Sequence, residues 1–147
     1  MVFRSQIKGS AFALTLLASL LFHGNIFAGT LIGTERECNI HQGPCSITSG
    51  SYNVTLNIDP KPVKHMKELT FRVTVTPCDK LPGILLLDLS MPGMVMGKNQ
   101  VTLVRNSRCI YEGKGIIVRC MSGRTIWRVT ILSDELNNPA FTFNVRE

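Results

Sequence analysis

The stretch Leu69-Thr70-Phe71-Arg72-Val73-Thr74-Val75-Thr76 alternates strictly between apolar and polar residues. Alternation of this kind is typical of a half-buried β-strand, because successive side chains in a strand point to opposite faces. The preceding stretch Val54-Thr55-Leu56-Asn57-Ile58 repeats the pattern and stops at Asp59-Pro60. The sequence therefore predicts two strands that each carry one apolar face.

Five further strands follow from the same alternation and from the turn signals between them. They are predicted at 84–90, 101–105, 109–120, 126–132 and 141–145. Gly113 and Gly115 leave open whether 109–120 is one bulged strand or a hairpin. Seven short strands without an amphipathic helix predict an all-β fold, and within that class a seven-stranded antiparallel immunoglobulin-like β-sandwich.

The N-terminal segment has the order of a secretory signal peptide. Basic residues precede an apolar run from Ala11 to Phe22, and the small residues Ala28 and Gly29 follow it. The run is too short to span a bilayer, so we expect no stable membrane span after cleavage, with an uncleaved anchor as the alternative. The expected organisation is a signal peptide at 1–28, a cysteine-containing lead-in at 29–50 and a sandwich domain at 51–147, exported to the periplasm or another extracytoplasmic space.

The charge pattern does not indicate a nucleic-acid-binding protein. The whole chain carries a formal charge of +6, from 16 Lys and Arg against 10 Asp and Glu, and Arg4 and Lys8 belong to the leader. The densest basic run, Lys61, Lys64 and Lys67, lies in a loop that contains prolines and lacks interleaved aromatic residues. A solvated loop is the better interpretation of that run.

Loop position can be predicted from strand order alone, because each strand of a sandwich crosses the whole domain and successive loops alternate between its ends. The loops 59–67, 91–98 and 121–124 should then share one end, provided that 109–120 is a single strand. The lead-in and the turns at 77–83 and 106–108 should lie at the opposite end.

This alternation also sorts the five cysteines. Four of them fall at or near the end opposite the methionines, where the favoured disulfides are Cys38 with Cys45 and Cys78 with Cys109. Two other pairings remain open. Cys120 is left without a partner, at the same end as the loop 91–98.

The stretch Met91-Pro92-Gly93-Met94-Val95-Met96-Gly97 is the strongest candidate site. Proline and glycine suit the second and third positions of a type II turn, which would bring Met91 and Met94 together. Met96 should point to the same side as Met94. Thioethers favour Cu(I), whereas the alternative is that these side chains fill a gap in the core. Further possible ligands at this end are His65, Met66, Cys120 and Met121.

Several of these features together resemble the YtkA-like domain and, more distantly, the FixH-type proteins of copper oxidase assembly. The likeness covers about residues 68–132. It rests on the methionine stretch, Tyr111 with its nearby glycines, Ser122-Gly123-Arg124 and Trp127-Arg128-Val129. It implies an extracytoplasmic β-sandwich, one strand over 110–119, and copper handling through Met91, Met94 and Met96.

Catalytic signatures are weak, so we do not expect an enzyme: no Cys-x-x-Cys, paired-carboxylate or phosphate-binding motif occurs in the chain. The first hypothesis is an exported Cu(I)-binding or copper-handling accessory protein that serves a copper acceptor or another envelope protein. The alternative is an envelope interaction module that docks a protein partner through its methionines without metal. The third is a disulfide-stapled structural domain whose methionines are simply packed.

Overall fold

The computed structural model describes residues 35–147, and the predicted signal peptide lies outside them. None of the helices in this part is long and apolar enough to cross a membrane. A single short 3-10 helix is found there, at Asp134–Leu136. The nine strands are β1 (Glu35–Glu37), β2 (Cys45–Ser49), β3 (Tyr52–Asp59), β4 (Glu68–Thr76), β5 (Ile84–Ser90), β6 (Gln100–Ser107), β7 (Ile110–Ile116), β8 (Ile126–Leu132) and β9 (Ala140–Asn144).

All nine strands belong to one mixed sheet in the order β1-β9-β8-β5-β6-β7-β4-β3-β2, which nearly closes on itself. Every neighbouring pair is antiparallel except β1 and β9. The all-β class is therefore confirmed. The seven-stranded, wholly antiparallel arrangement is not what the described residues form, because two further strands complete the sheet and one pair is parallel.

The two additional strands lie in the lead-in, which the sequence predicts to be loop. The residues of β1 are all exposed, so the strand has no apolar period to reveal it. The inward face of β2 consists of Cys45, Ile47 and Ser49, and only one of these is aliphatic. Ser49 donates a hydrogen bond of 2.6 Å to the carbonyl of Leu136, which satisfies its buried hydroxyl.

The apolar faces of the predicted strands meet in one core. In the β3–β4 pair, Val54 lies opposite Val75, and Ile58 lies opposite Phe71. All four side chains are fully buried, as the alternation predicts. Burial of such residues is the main favourable contribution to folding, so the period-2 pattern fixes which face of each strand turns inward.

Gly113 and Gly115 lie inside the single strand β7 and are not part of a hairpin turn. β7 first pairs with the end of β6, and the register between them shifts at Arg105. On its other side β7 pairs with β4 along its whole length. A Cβ on Gly113 would fall on the carbonyl oxygen of Thr102 and come within 2.9 Å of the Leu103 side chain, so the close approach of β6 and β7 requires glycine there.

We expect Gly113→Ala to destabilise the protein by about 2 to 3 kcal/mol, because backbone atoms of β6 must move to admit the methyl group. Gly97→Ala is the matched control. Nothing lies within 4 Å of a Cβ at that position, so the change should stay within about 0.5 kcal/mol. Urea unfolding of both variants measures the difference, and equal stabilities would contradict the close approach.

The strand directions define two ends of the molecule. We call one the methionine end: it comprises the loops 38–44, 60–67, 91–99 and 117–125. The opposite end comprises the turns and loops 50–51, 77–83, 108–109 and 133–139. The predicted grouping of the methionine loops follows from this order. The predicted position of Cys38 and Cys45 is wrong, because the unpredicted strand β2 adds one crossing and moves the lead-in loop to the methionine end.

Both favoured disulfides form: Cys38 with Cys45, and Cys78 with Cys109. Cys38 directly follows β1 and Cys45 begins β2, and these strands are the two edges of the sheet. The guanidinium of Arg36 also donates a 2.7 Å hydrogen bond to the carbonyl of Ser46. The seam of the nearly closed sheet is therefore bridged by a covalent bond and a hydrogen bond.

His41 ties the lead-in loop to two other segments at the same end. Its Nδ1 accepts a 3.1 Å hydrogen bond from the Val63 amide, and its Nε2 donates one of 3.0 Å to the Asn144 carbonyl. An imidazole that accepts a hydrogen bond at one nitrogen and donates one at the other is neutral. Burial, together with the positive charges of Arg146 and Lys61, lowers the pKa of His41 below its ordinary value.

Because the folded pKa of His41 is depressed, its contribution to stability is fully present above the unfolded pKa of 6.5 and falls as the pH drops below it. The unfolded chain then takes up the proton first. His41→Gln should lower the urea midpoint at pH 7.5 and give a flatter decline between pH 7 and pH 5 than the parent protein. Parallel pH profiles for the two proteins would contradict a neutral, bridging His41.

Candidate metal centre

The methionine loop begins with the predicted β-turn. The Met94 amide donates to the Met91 carbonyl at 3.1 Å, and Gly93 has a φ of 75°. A positive φ at the third position is what a type II turn requires, and glycine adopts it without steric cost. The turn fixes where the Met94 side chain leaves the backbone.

A second turn at Cys120–Gly123 faces the first. The Gly123 amide donates to the Cys120 carbonyl at 3.1 Å. The Arg124 guanidinium then reaches across to the Pro92 carbonyl at 3.3 Å, which links the two loops directly. The approach of these loops depends on β7 being one strand, since a hairpin at the glycines would have placed Cys120 at the opposite end.

The two loops bring a thiol and a thioether into contact. The Cys120 Sγ lies 3.6 Å from the Met94 Sδ. Both side chains are half-buried against the edge of the core. Of the sequence-predicted donors, this is the pair for which the structure shows direct sulfur-to-sulfur contact.

Cys120 is the free cysteine of the protein, because the other four form disulfides. Its Sγ lies 2.9 Å from the Ser122 hydroxyl oxygen. Hydrogen bonds from the side chain and backbone of Ser122, with help from the backbone and charge of Arg124, lower the pKa of the Cys120 thiol below its usual range. The thiolate is the form that binds metals and reacts as a nucleophile, so this environment favours both.

His65 and Trp127 pack beside these loops. The His65 Nδ1 lies 3.1 Å from the Val118 carbonyl, which can only accept, so a neutral ring carries its proton there and leaves the Nε2 lone pair available. The ring meets the Trp127 indole edge-on, with centroids 6.4 Å apart. Trp127 is fully buried, and its Nε1 has no hydrogen-bond partner within the described residues.

The remaining predicted donors take up different surroundings. Met91 is only 2% exposed and belongs to the core, whereas Met96 is half-buried against it. Met66 is 61% exposed and Met121 is fully exposed. The structure thus brings Met94 to Cys120 and holds His65 against the Val118 carbonyl. It leaves the side chains of Met66 and Met121 projecting into solvent.

Sequence reasoning assigned no role to Ser122 or Arg124, although they act on the thiol and on the loop contact. The available signal was weak, since a Ser-Gly pair after a cysteine indicates only a turn. No group of three or more His, Cys, Asp or Glu side chains able to hold a metal ion occurs within residues 35–147. The site therefore offers two soft sulfur donors, the Met94 thioether and the Cys120 thiol.

Comparisons with protein-family models, with curated proteins and with solved structures found no match to this chain. The likeness to the YtkA-like domain stays a prediction that depends on the quoted residues. The properties of the site are therefore argued from the chain's own side chains.

We expect Ser122→Ala to raise the pKa of the Cys120 thiol, because it removes the principal hydrogen bond to the thiolate. At pH 7 the variant should be alkylated more slowly by iodoacetamide, and the midpoint of its rate-against-pH curve should move upward. Ser107→Ala, in an exposed position at the other end of β6, is the control and should leave the curve unchanged. Identical curves for all three proteins would show that Ser122 does not lower the pKa of the Cys120 thiol.

Proposed function

We propose that this protein is an exported Cu(I)-binding accessory protein whose primary ligands are the Met94 thioether and the Cys120 thiolate. The observation that supports it is the 3.6 Å separation of the two sulfurs. For donors about 2.3 Å from a shared ion, tetrahedral geometry places them about 3.8 Å apart. Little movement of either side chain is needed to admit an ion between them.

The chemistry of the donors favours Cu(I) over harder or borderline ions. A thiolate and a thioether are soft ligands, which suit Cu(I). Structural zinc sites instead use four Cys or His side chains, and calcium and magnesium take oxygen donors. The lowered thiol pKa supports metal binding at neutral pH, because the ion then competes with the proton for Cys120 less severely.

Two further side chains are suited to complete the ligand set. The His65 ring has its Nδ1 fixed by the Val118 carbonyl, an arrangement that commonly orients a metal-binding imidazole. Met96 follows Met94 in the same loop and is half-buried. Met91 belongs to the core, so in this proposal it shapes the turn and is not assigned as a ligand.

The proposal assigns the protein to the cell envelope. Its two disulfides fit an oxidising, extracytoplasmic compartment, and the leader has the pattern of an export signal. In this view it passes copper to an acceptor of the envelope and catalyses no reaction itself. Its fold contributes a rigid frame that holds two loops at a fixed separation.

Competition with a colorimetric Cu(I) chelator under reducing, anaerobic conditions tests the ligand assignment. Met94→Leu and Cys120→Ser should each weaken Cu(I) binding about tenfold or more, since each removes a ligand. Met66→Leu is the matched control: its side chain is 61% exposed and is not a ligand in this proposal, so affinity should stay within about twofold.

An unchanged affinity in both ligand variants, with the far-ultraviolet circular dichroism of the parent, would reject the site. An equal loss in Met66→Leu would show that binding is distributed over surface methionines instead. X-ray absorption at the copper edge should show at least two sulfur neighbours in the parent protein and one fewer in either ligand variant.

A further inference from the structure

The methionine end exposes apolar side chains at the tips of its loops. Val95 and Met121 are fully exposed, and Met66 is 61% exposed. Val118 is more than a third exposed. Val95 and Met121 flank the sulfur pair, since each is next in sequence to Met94 or Cys120. These side chains therefore project from neighbouring loops around one site.

Charge is distributed unevenly between the two ends. The four loops of the methionine end contain no Asp or Glu, and their Lys and Arg residues are Lys61, Lys64, Lys67, Lys98, Arg119 and Arg124. The loops of the opposite end contain Lys80 and Arg108 against Asp79, Asp134 and Glu135. Arg146 and Glu147, which follow β9 at the methionine end, add one charge of each sign. Glu37, Asp59 and Glu68 stand at the strand ends that border the loops of the methionine end, so that end keeps an excess of positive charge, whereas the opposite end is slightly acidic.

Some of these cations are held within the protein, and others are available to a partner. Lys61 is held by Asp59, at 3.4 Å, and Arg119 lies 4.0 Å from Glu147. The side chains of Lys64, Lys67 and Lys98 are exposed and make no ion pair within the described residues. Cations on the same loops as exposed apolar tips are complementary to a surface whose outer layer is anionic and whose inner layer is apolar.

We infer that the methionine end docks on an anionic phospholipid bilayer, with Val95 and Met121 inserted among the acyl chains and the surrounding Lys and Arg residues against the head groups. A bilayer fits these observations better than a protein partner does. Protein interfaces are usually anchored by aromatic side chains packed into a complementary surface. Here the apolar groups are separate aliphatic and thioether tips, which need only an apolar layer at the right depth.

This inference goes beyond copper binding and does not depend on it. Docking would place the Met94–Cys120 pair at the membrane surface, where a thiol is shielded from water-soluble reagents. Each Lys or Arg near the membrane surface raises the affinity about fivefold through electrostatic attraction to the anionic lipid. Added salt weakens this attraction.

Co-sedimentation of the exported, purified protein with vesicles tests the inference. The protein should bind phosphatidylglycerol vesicles, bind phosphatidylcholine vesicles at least tenfold more weakly, and be released by added salt. Val95→Asp combined with Met121→Asp should weaken binding about tenfold or more, because charged tips cannot enter the acyl layer. Lys64→Gln combined with Lys98→Gln should weaken it by more than tenfold at low salt.

Matched controls lie at the opposite end. Ile84→Ser removes an apolar side chain that is 58% exposed, and Lys80→Gln removes an exposed cation. Both should bind vesicles like the parent. Cys120→Ser should also bind normally, which separates failure of docking from failure of copper binding. In the parent, phosphatidylglycerol vesicles should slow alkylation of Cys120 severalfold.

Three results would overturn the inference. One is no binding to phosphatidylglycerol vesicles, and another is an equal loss in the Ile84→Ser and Lys80→Gln controls. The third is capture of an acidic envelope protein by a crosslinker at position 121 while vesicles fail to bind, which would make this surface a protein interface.

Discussion

The close contact between β6 and β7 is the constraint on which the rest of the molecule depends. In the strand order, β7 is the strand that joins β1, β9, β8, β5 and β6 on one side to β4, β3 and β2 on the other, whereas the seam between β1 and β2 is bridged by the Cys38–Cys45 disulfide. Gly113 and Gly115 allow the strand to pass close against β6 while it pairs with β4 on its other side. Because β7 is unbroken, the loop that follows it returns to the methionine end.

The candidate site is a product of that path. Met94 leaves a turn after β5, and Cys120 begins a turn after β7, so the two sulfurs come from segments far apart in the chain. The turn geometry is local and depends on Gly93, whereas the contact is tertiary and depends on the sheet order. A rigid frame with two short loops is well suited to hold soft donors near metal-binding separation, because little conformational entropy remains to be lost.

Sequence reasoning predicts the strands that carry a clean alternation and fails where it is absent. Ile84–Ser90 and Ile126–Leu132 are predicted with their observed bounds, since their inward residues are large aliphatic or aromatic groups. β1 offers no buried residue, and the buried face of β2 includes Ser49, so the apolar residues of these strands show no readable period in the sequence. The Met91–Met94 turn was predictable from Pro92 and Gly93, whereas the positions of Ser122 and Arg124 around the thiol depend on contacts between distant loops.

The pairing of β1 with β9 bears on how the chain reaches its final form. Glu35 lies opposite Ala140, so the earliest described strand must wait for the last before its hydrogen bonds can form. The long sequence separation makes this a late and slow closure, because loop-closure entropy is lost before the contact forms. A chain that emerges with its N-terminal part first would therefore leave β1 unpaired until the final strand has emerged. The topology thus delays completion of the sheet until the residues of the last strand are available.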